Sequence, residues 1–309
     1  MIQDKYNLTD FPKGLIKLFY FNWPVILLVA TVANFGFLIL YSVAEGDILP
    51  WAKPQMIRFA VGFTIMIIIG LIHIDFWRRV SILVYVTSIL LLLLVFSVGD
   101  TGMGAQRWID LRIFRLQPSE TMKLGLVMML ALYYDWLKPE KVSKPFWVLL
   151  PLIMIILPTG LVIRQPDLGT GLLIAFIGIS VMFLAGVSGW YFSGGLGVTG
   201  IFLLIVWASR NTPWQFLKDY QYRRIDTFLN PSLDPLGSGY HITQSKIALG
   251  SGGLTGRGFM QGTQSQLNFL PEKHTDFIFT LFSEEFGFFG SCLILAIYVV
   301  ITWRLVTIG

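Results

Sequence analysis

An all-α, polytopic helical membrane protein with about eight transmembrane helices is the fold class this sequence predicts, and three observations carry it. Of 309 residues 55% are hydrophobic and 15% aromatic, while charged residues make up 13%, about half the roughly 25% of a soluble domain. Eight apolar stretches follow one another, at a span requirement of about 20 residues each. Runs such as LLLLVFSV (91–98) and LPLIMIILP (150–158) lack the apolar/polar alternation of a membrane β-barrel strand. A soluble globule and a disordered chain are both excluded, since disorder needs low hydrophobicity and high charge. Cys292 is the single cysteine, which excludes an intrachain disulfide and a Cys-based metal site. No nucleic-acid partner is expected.

Taken in order, six stretches free of charge lie at about 24–44, 80–98, 146–163, 168–187, 190–208 and 286–303. Two equally apolar ones, about 57–72 and 119–134, carry Arg58 in the first and Glu120 and Lys123 in the second. The N-terminal segment holds Asp4 and Lys5, and the first span is too long for a signal h-region, so it is expected to stay in the mature protein. With the N-terminus in the cytoplasm, Lys5, Lys13, Lys17, Arg78, Arg79, Lys138, Lys141, Lys144 and Arg304 lie inside, against Lys53, Arg107, Arg112, Arg115 and Arg164 in short outside loops. Nine against five favours this orientation by the positive-inside rule. The whole of 1–309 then reads as one transmembrane domain with a large outside loop at 209–275.

That loop has eight Gly and four Pro; its length and mixed, aromatic composition predict a folded segment with a function. HITQSKIAL (241–249) has helical spacing and is closed by Gly250, Gly252 and Gly253. DTFLNPSLDP (226–235) reads as successive turns. The run GSGGLTGRG (250–258) lacks the Lys-Ser/Thr ending of a phosphate loop, so a tight turn with backbone packed close to a neighbour is expected there. His73, His241 and His274 are far apart and form no zinc-ligand spacing.

Charges at membrane depth are expensive, by roughly 2.5 kcal/mol or more, and usually face a bundle interior or cavity. Glu120 and Lys123, three apart on a helix, lie on one face and can pair, either as a structural ion pair or on a substrate pathway. Arg58 has no local partner. In loop 99–118, Arg107, Arg112 and Arg115 with Trp108 suit an anionic headgroup beside an apolar chain, and equally suit interfacial anchoring. Gln117-Pro118-Ser119-Glu120 and Gln165-Pro166-Asp167 read as helix starts. The densest polar signal is NFLPEKHTDFIFTLFSEEFG (268–287), where Glu272, Lys273, His274, Asp276, Glu284 and Glu285 crowd the membrane edge. Thr275 or Asp276 there is either a helix cap or, for the carboxylate, a general base at the rim of the bundle.

These motifs resemble the SEDS (shape, elongation, division, sporulation) proteins, membrane-embedded peptidoglycan glycosyltransferases. The resemblance rests on GAQRWI (104–109), QPSE with Lys123 (117–123), QPDLGTG (165–171), YQYRRIDTFLNP (220–231), the stretch from Ser245 to Gly258, and GTQSQLNFLPEKHTDFIF (262–279). The last is more similar to the elongation branch than to the division branch. Family members usually carry ten spans, so a chain stopping at TIG (307–309) is expected to be a C-terminally truncated fragment. The resemblance implies polymerisation of lipid II at the outer face of the bacterial cytoplasmic membrane during elongation and rod-shape maintenance, alongside a class B penicillin-binding protein and other elongation-complex proteins. It places the catalytic aspartate on Asp276, the loop tryptophan on Trp108 and the ion pair on Glu120 and Lys123. In the implied reaction the leaving group is undecaprenyl pyrophosphate, for which Arg58, Arg107, Lys123, Arg223 and Arg224 are candidate cations. Lys273 and His274 are candidate substrate contacts beside the base. A divalent cation, Mg²⁺ or Mn²⁺, is a candidate helper that Asp276 could itself hold. A flippase or transporter for lipid-linked precursor, or a non-catalytic scaffold activating a penicillin-binding protein, would use many of the same features.

Overall fold

In the computed structural model, which describes residues 14–102, 105–110, 112, 115–217, 219–234, 237–263 and 273–308, a helix occupies each of the eight expected places. They are α1 Trp23–Val43, α2 Ala52–Leu71, α3 Ile74–Val98, α4 Pro118–Trp136, α5 Pro145–Arg164, α6 Leu168–Leu184 and α7 Gly189–Ala208; α8 Asp219–Leu229 and α9 Ser238–Ser251 follow, and α10 Ile278–Ile308 is the eighth. Among the described residues six of these (α1, α2, α3, α5, α7 and α10) are long and apolar enough to cross a membrane. At 1.5 Å per residue the 17-residue α6 reaches about 26 Å, a little under the ~30 Å hydrocarbon core. Helix α4 is continuous but carries the charged side chains Glu120, Lys123 and Asp135. The chain is an all-α polytopic membrane protein.

The helices gather into two units, described separately: α1, α2, α8, α9 and α10 in one, α3 to α7 in the other. In the second, α3 packs on α4, α4 on α6 and α5 on α6. Its core holds Leu92, Met122, Leu126, Leu130, Val162 and Ile174, all inaccessible to solvent. Helix α5 contains Pro151 and Pro158. A proline has no N–H, so each leaves the carbonyl four residues earlier without its helical donor, and in a membrane such a carbonyl needs another partner. Both find one: the Tyr133 hydroxyl of α4 donates to Trp147 O (2.7 Å) and the Tyr85 hydroxyl of α3 donates to Met154 O (2.9 Å). Tyr133→Phe is therefore expected to lower the stability of this unit by about 1–3 kcal/mol, the penalty for a buried unpaired acceptor, read as a lower unfolding midpoint in detergent with the helical content unchanged.

Loop 99–118, for which no element is expected from sequence, carries a small antiparallel sheet. Its strands β1 Asp100–Gly102, β2 Ala105–Asp110 and β3 Arg115–Leu116 lie in that order, with Asp100 opposite Trp108 and Ile109 opposite Leu116. Strands of two to six residues are too short to display an alternating pattern. The alternation shows in burial: Ile109 is 6% exposed and Trp108 39%.

In the first unit α10 packs on α1 and α9, over a core of Ile39, Val43, Leu281, Phe282 and Ile294. One expectation is corrected here and another is extended. Residues 226–229, read as turns, complete α8; the turn begins at Asn230, whose Oδ1 accepts from Ser232 N (3.3 Å). A helical segment from Ile278 precedes the span expected at about 286–303 and joins it across the non-helical Gly287; Glu284 and Glu285, which break the apolar run in sequence, lie in this segment, buried by protein at 0% and 2% exposure.

Candidate functional site

The turn at 273–277 leads into α10. Phe277 and Ile278 pack against the α1–α10 core, and Asp276, one residue earlier, is exposed. Lys273 is buried at 7% exposure, with its Nζ 5.9 Å from the Trp51 ring centroid. His274 stacks on the same indole, with centroids 4.9 Å apart and planes 9° from parallel. Burial holds the Lys273 ammonium below the usual lysine range, with Glu45 drawing it partly back. The turn thus combines an accessible carboxylate with a buried amine and an imidazole set against one aromatic plane.

Behind the turn, α10 is broken at Gly287 (φ 67°, ψ −164°). A break frees backbone groups, which at membrane depth must be buried in protein and re-bonded. The glycine run supplies them: Arg257 N and Gly258 N donate to the carbonyls of Glu284 and Glu285 (3.0 Å each), while Phe288 N and Phe289 N donate to Gly253 O (2.9 Å) and Leu254 O (3.1 Å). The approach is close enough that a Cβ on Gly256 would lie 2.0 Å from Glu285 O, and one on Gly252 2.2 Å from Ser283 O. This bears out the expected tight turn packed on a neighbour. The two glutamates do not share the surface with Asp276 as the sequence grouping suggested. Ser42 Oγ donates to Glu285 Oε1, and Glu284 Oε1 accepts from Thr263 Oγ (3.0 Å) and Ser251 Oγ (3.3 Å). Glu272 lies outside the described residues.

In the other unit the sheet lies against α3 and α4. Arg107 of β2 reaches the α5–α6 junction, with its Nε 3.5 Å from Asp167 Oδ2 and its Nη2 donating to Pro166 O (3.0 Å). Asp167 also caps α6, accepting from Thr170 N (3.3 Å) and Thr170 Oγ (2.9 Å). Gln165 is buried and donates to Leu92 O (2.9 Å). The QPDLGTG motif therefore ties β2, α3 and α6 together. Lys123 Nζ pairs with Glu120 Oε2 at 2.8 Å in the expected i, i+3 relation, an arrangement worth only about 0.2–0.5 kcal/mol on an open helix face. Arg107 and Lys123, expected as cations awaiting a leaving group, each face a carboxylate of their own unit. Neither is an isolated charge.

Arg58 is exposed on α2 and lines, with Gln55, Phe59, Val25 and Val29, a groove of about 410 Å³ between α1 and α2. Arg223 is exposed on α8 and borders a cavity of about 380 Å³ with Asp226, Thr227 and Asp234; the side chain of Arg224 lies outside the described residues. Arg210 forms a two-pronged pair with Asp226, one hydrogen bond at 2.9 Å and a shorter one from Nη2. The hydrogen bonds from Arg210 hold the Asp226 carboxyl below its ordinary value near 3.8, against a smaller opposing effect of burial. A depressed carboxyl stabilises the fold above the unfolded value and loses that contribution as pH falls through the folded one. The unfolding midpoint is thus expected to drop on acidification below about pH 4, and Arg210→Ala is expected to shrink this drop. Among the described residues no group of three or more His, Cys, Asp or Glu side chains is placed to hold a metal ion.

The chain matches a family model, the FtsW/RodA/SpoVE cell cycle proteins, over residues 22–309. The chain belongs to this family. Among its FtsW/RodA/SpoVE relatives, the peptidoglycan glycosyltransferase MrdB of Escherichia coli K12 is 39% identical over 283 residues, 91% of this chain and 73% of the relative. The probable peptidoglycan glycosyltransferase FtsW of Escherichia coli O6:H1 is 34% identical over 306 residues, 96% of this chain and 71% of that one. One solved chain, from work described as structural coordination of polymerization and crosslinking by a peptidoglycan synthase complex, superposes with a TM-score of 0.72 at 28% identity, covering 92% of this chain and 77% of its own. The crystal structure of the Thermus thermophilus rod shape determining protein RodA agrees in fold, with a TM-score of 0.61 at 24% identity over 92% of this chain and 74% of that one.

For a FtsW/RodA/SpoVE chain, several partners here have no signal in spacing. Trp51 and His274, Ser42 and Glu285, and Arg210 and Asp226 meet only through tertiary folding. A lone Trp in the 44–51 connection is indistinguishable from an interfacial anchor.

Proposed function

We propose that this chain is a peptidoglycan glycosyltransferase of the elongation branch, polymerising lipid II at the outer face of the bacterial cytoplasmic membrane, with its N-terminus inside. The observation that carries the reading is Asp276: an exposed carboxylate at the start of a spanning helix, beside Lys273 and His274, in a chain whose relatives are named for this activity. If every one of the eight helices crosses once, the C-terminal ends of α1 and α3 and the N-terminal ends of α4, α6 and α10 face the side opposite the N-terminus.

In this reading Asp276 takes the proton from the C4 hydroxyl of the acceptor lipid II sugar. That oxygen attacks the anomeric carbon of the lipid-linked glycan, the configuration inverts, and undecaprenyl pyrophosphate leaves with the bonding pair. Cations near the departing pyrophosphate stabilise the growing charge. Lys273, His274, Arg58, Arg223 and Arg224 are assigned to this, with Arg107 and Lys123 acting as halves of their ion pairs and Trp108 presenting an exposed ring to the lipid-linked substrate. A Mg²⁺ or Mn²⁺ ion would supply further charge neutralisation; Asp276 is the residue that would hold it, in place of its role as base. The partner assigned is a class B penicillin-binding protein, supported by the polymerization and crosslinking complex named for the structural relative. Purified chain with that partner is expected to convert lipid II in detergent into glycan polymer. Movement of labelled lipid II across liposomes without polymer formation would overturn the reading in favour of a flippase.

A further inference from the structure

Asp276 is placed by its turn. Among the described residues no hydrogen bond or ion pair is assigned to its exposed side chain, so where the carboxylate stands depends on what grips the residues either side. After it, Phe277 and Ile278 are set in the α1–α10 core. Before it, His274 lies flat on Trp51, and Lys273 places its ammonium near the same ring. Trp51 is itself half-buried and packs against that same core. One indole therefore joins the core beneath to the turn above.

We propose that Trp51 is a positioning residue for the reaction, an aromatic platform in the α1–α2 connection that fixes the turn carrying Asp276; this rests on the reading of Asp276 as the general base. The flat stack restrains both the height and the tilt of His274, two residues before the carboxylate. With the platform removed, His274 loses the surface that sets its height and tilt. Displacement of a reacting group by about 1 Å can lower a rate by up to 10²-fold, so loss of the platform is expected to appear in kcat, with the KM for lipid II changing little.

The test uses the full chain with its penicillin-binding partner, as wild type, Trp51→Leu and Trp51→Phe. Leucine keeps apolar bulk against the core but offers no ring face. Two quantities are read: kcat for polymer formation from lipid II, and the imidazole Cε1–H resonance of His274 in histidine-labelled protein, assigned with His274→Gln among the three histidines. Trp51→Leu is expected to remove the ring-current shift of His274 and to lower kcat on the order of 10-fold, while Trp51→Phe keeps part of the shift and most of the rate. A lost shift with wild-type kcat would overturn the proposal while leaving the general base in place. Full activity of Asp276→Asn overturns the general base itself, and with it the purpose assigned to the platform. If Trp51→Leu yields no folded protein, Trp51→Met, which also keeps apolar bulk without a ring face, takes its place: a lost ring-current shift with wild-type kcat overturns the positioning role.

Discussion

Asp276→Asn is expected to reduce glycan polymerisation from lipid II by about 10²- to 10⁴-fold, the usual contribution of a positioned general base, while leaving the fold untouched. The second half of this expectation follows from exposure: Asp276 is at the surface of its turn, and asparagine has nearly the same shape. Thermal unfolding and partner co-purification should therefore match wild type, so that lost product reports chemistry. The measurement is gel-resolved polymer formed by the full chain with its penicillin-binding partner. Polymer yield within a few-fold of wild type would remove Asp276 from the mechanism.

The largest effect on stability is expected at Gly256. Its φ of +85° is a region side chains rarely adopt, and its Cβ position lies 2.0 Å from the Glu285 carbonyl oxygen. Gly256→Val must hold a β-branched residue in the left-handed conformation, at roughly 1–2 kcal/mol, and must push the loop off α10. That motion breaks the bonds from Arg257 N and Gly258 N to the carbonyls of Glu284 and Glu285, at about 1 kcal/mol each. A loss of about 3–4 kcal/mol in all is expected, read as a collapse in the yield of monodisperse protein and a sharply lower unfolding midpoint. Gly250→Ala is the control, since Gly250 sits in the last turn of α9 with nothing within 4 Å of its Cβ position. Alanine is a better helix former there, so stability should hold or rise by up to about 1 kcal/mol.

What could be read from sequence divides along a physical line. Features set by neighbours on the chain were legible: the eight helices, the closure of α9 by glycines, and the pairing of Glu120 with Lys123 across one turn. Features that depend on which surfaces meet were not. The motif around Asp276 gathered six polar residues into one apparent cluster, yet Glu284 and Glu285 turn inward to hydroxyls of Ser42, Ser251 and Thr263. Composition cannot separate a carboxylate facing solvent from one buried under hydroxyls. Arg107 likewise reads as a free cation until the fold brings it to Asp167. The strands of the 100–116 sheet escaped for want of length.

The two prolines of α5 bear on biogenesis. As α5 emerges into the bilayer, Trp147 and Met154 present carbonyls that no residue of α5 itself can satisfy, and lipid offers no donor. The hydroxyls that complete them, Tyr85 and Tyr133, sit on α3 and α4, which are synthesised earlier. The order of elements along the chain thus has the acceptors arriving after their donors, so α5 gains its missing bonds by docking onto helices already inserted, and a chain in which α3 and α4 were delayed would leave α5 incomplete in the membrane.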